Sequence, residues 1–408
     1  MLNSEMVDHR EAAPNEKAEH ADWTKRVEAA VAVARRHAAD VDLRGRFPAE
    51  AVEALKSARL LGAMIPAQLG GEDAGMARVA DVCFALGGAC GSTALIFAMH
   101  QVKVACLARH HGGSAWQLAF LRRVATEQLL LGSSTTEGRA GGAVRASSAP
   151  VETMPDGGVR LMRAATVVSY GEQADAIVTT ARRGPEAAPS DQVLVVFARE
   201  DYRLDPTGDW DTLGMRGTRS LAFGLEARGC ADQVLPVPYA EIHARTMTPA
   251  AHLLWGGVWA GLAAEAVERA RLHVRKAMRA DPNNTPPGAV HLPRAKTSLN
   301  TLCALLSAAL ARYVAIENQP AALEALDYQT GVSMLKVQTS ELAVATVMTA
   351  LQACGLSGYR NDSDASIGRL LRDVLSAPLM ISNDRILADL QGAALMDRGP
   401  SSLRGGII

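Results

Sequence analysis

The chain has 408 residues, 48% of them apolar and only 4% aromatic, and 42 Lys and Arg stand against 43 Asp and Glu for a formal net charge of -1. That length and apolar content suit a large core shared by two or three packed lobes. The balanced charge excludes an electrostatic footprint for polyanions, and the scarcity of rings excludes a base-stacking platform, so no nucleic acid partner is expected.

Along the chain three textures follow one another. Met1 to Lys17 is polar and charged and lacks the apolar centre of a secretory leader. From Trp23 to Leu130 the sequence is Ala-rich with helical spacing, and Pro48 opens the run Ala49 to Leu55 with an acid in its first turn. Gly62, Gly70, Gly71 and Gly75 interrupt the pattern, which resumes at Met76 and again near Ser114. A helical N-terminal domain is expected over residues 1–130.

A middle domain is expected over residues 131–245, where short β-favouring runs alternate with turns. Asp156-Gly157-Gly158 reads as a hairpin turn before Val159 to Leu161 and Ala165 to Ser169. Ile177 to Thr180, Gln192 to Phe197 and, more weakly, Ser220 to Leu225 follow, and strands at this spacing suggest a small barrel or sandwich. Residues 246–408 return to helical texture, with long segments at about Pro249–Arg279, Leu292–Asn318, Ala321–Cys354 and Ser363–Leu395 that fit a four-helix bundle. Thr246 to Ala264 carries no charge but holds Pro249, His252 and several small residues, which suits a buried bundle helix rather than a membrane span. The fold expected is mostly α with a central β-barrel domain, in a soluble cytoplasmic protein.

Most local signatures of chemistry are absent: no phosphate-binding, dinucleotide-binding, nucleophile-elbow or zinc-protease motif occurs. Cys83, Cys90, Cys106, Cys230, Cys303 and Cys354 form no C-x-x-C and read as reduced, buried thiols. His110 and His111 point apart on most backbones, so no metal site is expected. His100 ends an apolar run, Ala94 to Met99, where it is either a satisfied helix histidine or a substrate-binding one. Gly132 to Gly142 is rich in hydroxyls and glycines, a composition that lets backbone amides meet a flavin edge or a phosphate, or forms a plain surface loop.

The order of these pieces resembles the acyl-CoA dehydrogenase superfamily over nearly the whole chain, from about Trp23 to Asp397. Leu61 to Gly71 is similar to the family's entry segment, and Thr136-Glu137-Gly138-Arg139-Ala140-Gly141-Gly142 to its "T-E-P-x-x-G-S" flavin loop. Val167-Val168-Ser169-Tyr170-Gly171 falls where the family has "W-I-[TS]-N-G", and Leu213-Gly214-Met215-Arg216-Gly217-Thr218 resembles "L-G-x-R-x-[ST]". Cys354 to Tyr359 resembles "G-G-x-G-[YF]", and Arg372-Asp373 the "R-D" before the last helix. The resemblance implies FAD, or FMN, between the β domain and the bundle. Thr136, Gly141 and Gly142 would meet the pyrimidine end and phosphate, Val168 and Ser169 the N5 region, and Gly355 and Gly358 the cofactor chain. It also implies a homotetramer or dimer, acyl-thioester or other small-molecule substrates, and an electron-transfer flavoprotein or a flavin reductase as partner.

The chain departs from the dehydrogenase pattern at the base that removes the proton alpha to the thioester. The two positions that carry this Glu in the family hold Ile381 and Lys276 here, and Asp384 is the candidate surrogate, or else a helix-start carboxylate paired with Arg385 or solvent. Val167 replaces the Trp of the flavin cover and Gly138 the Pro after Glu137, as in the flavin monooxygenase branch of the fold. The expected activity is therefore a flavin-dependent acyl-CoA or acyl-carrier dehydrogenase with a non-standard base, with a two-component reduced-flavin monooxygenase and a non-catalytic flavin-binding protein as alternatives.

Overall fold

The computed structural model describes residues 14–137 and 146–396. Helix α1 (Pro14–Arg44) buries Trp23, Ala30, Ala34, Ala38 and Val41 as one stripe, small side chains at helical spacing that let α1 lie close to the helices beneath. It is followed by α2 (Ala49–Ser57), α3 (Met76–Ala89), α4 (Gly91–His110) and α5 (Ala115–Glu127). Ser114 caps α5 by accepting the Gln117 amide proton at 3.4 Å. Almost the whole of α4 is buried, so this apolar helix is the core around which the first lobe packs.

Two sheets follow, rather than one closed ring. Strands β1 (Leu131–Ser134), β4 (Ala176–Arg182) and β5 (Gln192–Ala198) form one sheet, with β1 parallel to β4 and β5 antiparallel to it. Strands β2 (Glu152–Thr153), β3 (Val159–Val168), β7 (Leu221–Gly229) and β6 (Tyr202–Pro206) form an antiparallel second sheet in that order. A bridge between Glu137 and Ala165 joins the two. The single strand β3 absorbs two of the sequence runs. It pairs with β7 through a bulge, since Ala165 faces Phe223 and Val168 faces Leu221.

The chain then enters α6 (Tyr239–Ile242), widens into a π-helical turn at His243–Met247, and continues as α7 (Thr248–Ala280). The uncharged stretch expected as a buried bundle helix is the buried first half of α7. It packs against α3 where Gly87 meets Gly261. A Cβ on Gly261 would lie 2.1 Å from the Phe84 carbonyl oxygen, and one on Gly87 would lie 2.4 Å from that of Val258, so only glycine permits this crossing. The bundle is completed by α8 (Leu292–Ile316), α9 (Pro320–Glu324), α10 (Leu326–Cys354) and α11 (Leu356–Tyr359), then α12 (Gly368–Val374) and α13 (Asn383–Met396). The fourth long helix read from the sequence is thus two helices. Pro378 cannot continue an α-helix, and Ile381 adopts φ +52°, in the left-handed region.

Two described helical stretches are long and apolar enough to cross a membrane. Gly91–His110 is 89% buried, whereas Pro287–Ile316 is only 17% buried. Among the cysteines, Cys83, Cys90, Cys106 and Cys354 are buried, but Cys230 is exposed and Cys303 half-buried, and all six are free. The reading as buried thiols holds for those four and not for Cys230, where β7 ends, or Cys303 on α8.

Candidate functional site

A cavity of about 580 Å³ lies where α4, the β sheets, the π-helical turn with α7, and the segment after α12 converge. Leu95, Met99, Val102 and Lys103 line it from one face of α4, as their helical spacing dictates. Thr248, Ala251, His252 and Trp255 do so from α7. The far side is Leu375, Leu379, Met380 and Ile381, in the break between α12 and α13. The break therefore has a consequence for the site: a continuous helix would not lay these four side chains across the cavity.

The β wall carries hydroxyls. Ser133, Thr135 and Thr136 stand at the end of β1, and Val167, Ser169, Thr218 and Ser220 flank the bulge between β3 and β7. The extra residue in the bulge shifts the alternation of β3, so Val168 points into the sheet core while Val167 and Ser169 face the cavity. The hydroxyls form a directed chain. Thr218 Oγ1 donates to the Met215 carbonyl at 2.9 Å, so the 2.8 Å contact with Ser220 Oγ must be donated by Ser220. The 2.8 Å contact between Ser169 and Ser220 is then donated by Ser169. Ser169 Oγ therefore turns only acceptor lone pairs toward the cavity.

Loop 213–218 is held in place by α12. The Met215 amide donates to Asp373 Oδ1 at 2.7 Å, Arg372 Nε donates to the Leu213 carbonyl at 3.1 Å, and a Cβ on Gly214 would fall 2.0 Å from the Arg372 carbonyl oxygen. Two motifs far apart in sequence thus meet face to face. Burial pushes the Asp373 carboxyl up to about 6, against the opposing pull of Arg369 and the Met215 amide. Arg372 itself is paired with Asp42.

The titratable side chains on the cavity wall are Lys103, Tyr239, His243, His252 and Arg372, and no carboxylate is among the described lining residues. Segment 138–145 contains no acid in its sequence either. Lys103 is 3% exposed, and its Nζ donates to Met247 Sδ at 3.2 Å. Burial lowers its pKa to about 8. His252 donates Nδ1–H to the Val332 carbonyl at 2.8 Å, which leaves Nε2 as an acceptor, and burial lowers its pKa to about 4. His243 lies against the Thr248 hydroxyl, 3.2 Å from Nδ1, and edge-on to the Tyr239 ring.

Thr136 and Ser169, read from the sequence as flavin contacts, both line the cavity. Val168 does not, for the reason of the bulge. Gly141 and Gly142 lie outside the described residues. The stems of their segment are pinned: Glu137 accepts from Ser147 Oγ at 2.6 Å and from the Ser148 amide at 2.7 Å, and pairs with buried Arg163 at 3.5 Å. Burial would raise the Glu137 carboxyl, but these donors hold it below its usual value. Gly355 and Gly358 sit at the junction of α10 and α11, apart from the cavity lining.

Two of the candidate residues stand off the cavity, in the structural roles the sequence also allowed. Asp384 is exposed in the first turn of α13, outside the cavity lining, because the turn at Ile381 sends the helix away from the site. His100 is fully buried and does not face the cavity. Its Nε2 contacts the Leu61 carbonyl at 2.7 Å, and the Leu131 amide donates to its Nδ1 at 3.0 Å, so both ring nitrogens are spent on backbone. Burial lowers its pKa to about 4. Sequence reasoning missed Lys103, His243, His252 and Trp255. Lys103 could have been found, since it is the only Asp, Glu, Lys or Arg between Gly91 and Leu107.

The donor set fits a flavin. A flat ring system with one polar edge matches a cavity that is apolar except for a hydroxyl-bearing wall, and the buried Trp255 Nε1–H on the lining has no partner among the described residues. Thr136, Ser169 and Ser220 would hold the polar edge.

Comparison with known proteins places these features. A family profile described as the acyl-CoA dehydrogenase N-terminal domain matches residues 17–128, and one described as the acyl-CoA dehydrogenase C-terminal domain matches residues 247–393. The chain is 24% identical over 366 residues to a cyclohex-1-ene-1-carbonyl-CoA dehydrogenase of Geobacter metallireducens, covering 88% of this chain and 93% of that protein. Among solved structures it resembles KijD3 in complex with FMN and a dTDP-linked amino sugar, with TM-score 0.78, 22% identity and 95% of each chain covered. It also resembles FMN-bound TdsC from Paenibacillus sp. A11-2, with TM-score 0.75, 18% identity, and 92% of this chain and 98% of that one covered. TdsC is described as a dibenzothiophene monooxygenase. At these identities the structural likeness is one of fold.

Proposed function

We propose, from the premise that the chain belongs to the acyl-CoA dehydrogenase family, that it is a flavin-dependent oxidoreductase and, within the family, a reduced-flavin-dependent monooxygenase supplied by a separate reductase. One observation carries the choice of reaction: the described cavity wall offers no carboxylate. An acyl-CoA dehydrogenase must remove a weakly acidic proton, which needs a well-placed base. An oxygenation site needs above all a dry, shaped pocket and a fixed cofactor edge.

The residues divide that work. Thr136, Ser169 and Ser220 hold the polar edge of the cofactor, with Ser169 Oγ accepting from an N–H donor such as a reduced flavin presents. Bound reduced flavin supplies the electrons that, with dioxygen, place one oxygen atom in the substrate and release the other as water. Leu95, Met99, Leu375 and Met380 give the cavity its apolar lining. Neutral His252 has its Nε2 lone pair to accept a proton from a substrate hydroxyl or amine. Copies of the chain associate, and the poorly buried apolar surface of Pro287–Ile316 supports this reading.

The test supplies purified protein with FMN or FAD, a flavin reductase, NADH and isotope-labelled dioxygen, with aromatic, sulfur and amine substrates in turn. Labelled product that requires the reductase is expected. Anaerobic bleaching of bound oxidised flavin by an acyl-CoA would overturn the reading. It would favour the dehydrogenase suggested by the Geobacter relative, with His252 as base.

A further inference from the structure

Two lysines among the described residues are almost wholly buried, and they differ in one respect. Lys336 donates to Asn383 Oδ1 at 2.7 Å, lies over the Trp259 ring and has Glu341 nearby. Lys103 has no oxygen partner among the described residues. Among these residues its amine meets the sulfur of Met247, a weak acceptor, and its titratable neighbour is the buried thiol of Cys106. A desolvated amine without a counter-charge is costly, and this one lies on the wall of the cavity rather than in closed packing.

We propose that Lys103 is the subsite for an acidic group of the substrate, a carboxylate or an ionisable phenol on a small, otherwise apolar body. The inference rests on the reading of this cavity as the substrate site. A single ammonium is a point charge that matches one oxygen. Among the described lining residues there is no second Lys, and Arg372 is already engaged with Asp42 and the Leu213 carbonyl. A phosphate, which calls for several converging donors, fits less well than a carboxylate. Val102, Met247 and Tyr239, which line the same cavity, ask for an apolar or aromatic body. Lys103 and Met247 belong to the helical wall, whereas the hydroxyls suited to the cofactor edge belong to the β wall, so the charge is assigned to the substrate.

Calorimetric titration of the full chain, flavin-free and FMN-loaded, with benzoate, phenylacetate and cinnamate and with their primary amides tests this without turnover. At least one acid is expected to bind about tenfold or more tighter than its amide, as a charge-assisted contact implies. Lys103→Met should remove that preference and leave the amide's affinity within about twofold, because only the charge-assisted contact is lost. Lys103→Gln, which keeps a donor without the charge, is the second variant and should behave likewise. Acids no tighter than amides in the wild type, or a preference that survives both substitutions, would overturn the proposal. So would a loss of reduced-FMN affinity in the variants with acid preference intact, which would assign the lysine to the cofactor. Acid preference lost in the variants of a protein that fails to oxygenate would leave the subsite standing and remove only the reaction.

Discussion

His100 shows how a side chain with catalytic chemistry can be wholly structural. Its two ring nitrogens tie the turn at Leu61 and the first strand at Leu131 to α4, and Gln101 beside it adds bonds to the Leu60 and Leu61 carbonyls. His100→Phe would leave the Leu131 amide without its acceptor and the Leu61 carbonyl with only the 3.3 Å contact from Gln101, at a cost of about 1–3 kcal/mol in urea unfolding at neutral pH. The cost should depend on pH in a defined sense. The folded pKa is about 4 against an ordinary 6.5, so between these values the unfolded chain binds more protons and the wild type loses stability on acidification. Phe does not titrate, so the deficit of the variant should narrow as pH falls from about 6.5 to about 4. The comparison is needed because Asp373, raised to about 6, works in the opposite direction over part of that range. A deficit that stays constant with pH would mean that His100 titrates normally.

At the scale of elements, the crossing of α3 and α7 sets the site. Gly87 and Gly261 bring the two backbones into contact, and the face of α7 that carries His252 and Trp255 is thereby aimed at the cavity. Gly261→Ala has no flexible neighbour to displace, since its Cβ would strike a backbone carbonyl, so a loss of more than about 2 kcal/mol and weaker flavin binding are expected together. Urea unfolding and a flavin titration measure both, and an unchanged urea midpoint would refute the close packing. Helices were legible in the sequence because apolar spacing and glycine interruptions are local signals. Strand β1 and strand β6 were not: Leu131–Ser134 and Tyr202–Pro206 are short and are defined by their partners. Of the site, Thr136 and Ser169 could be read from motif order, but Ser220, His243 and His252 reach the cavity only through tertiary packing. The break at Pro378 to Ile381 decided the fate of Asp384, and no periodicity in that stretch announces which way the chain turns.

The whole molecule leaves an apolar flank uncovered. Pro287–Ile316 passes the composition test for a membrane span yet is only 17% buried, and Val314 is half exposed. In water such a face is normally covered by another surface. Light scattering coupled to gel filtration should therefore give a mass of at least twice 43.1 kDa, and charged substitutions at Val314 and Ala311 should lower it. A monomer at micromolar concentration would show that the flank stays bare.

The wide turn at His243–Met247 holds one residue more than a regular helical turn. In a regular helix, residues five apart point in different directions, yet here Thr248 reaches His243. Deleting Ala244 would restore regular winding by removing the residue that the wide turn absorbs, and would take away the contact of His243 with Thr248 while α7 stays seated. Single-residue insertions and deletions at this joint would therefore redraw one wall of the cavity and leave the bundle as it is. Descendants of this fold could change their ligands by length variation alone.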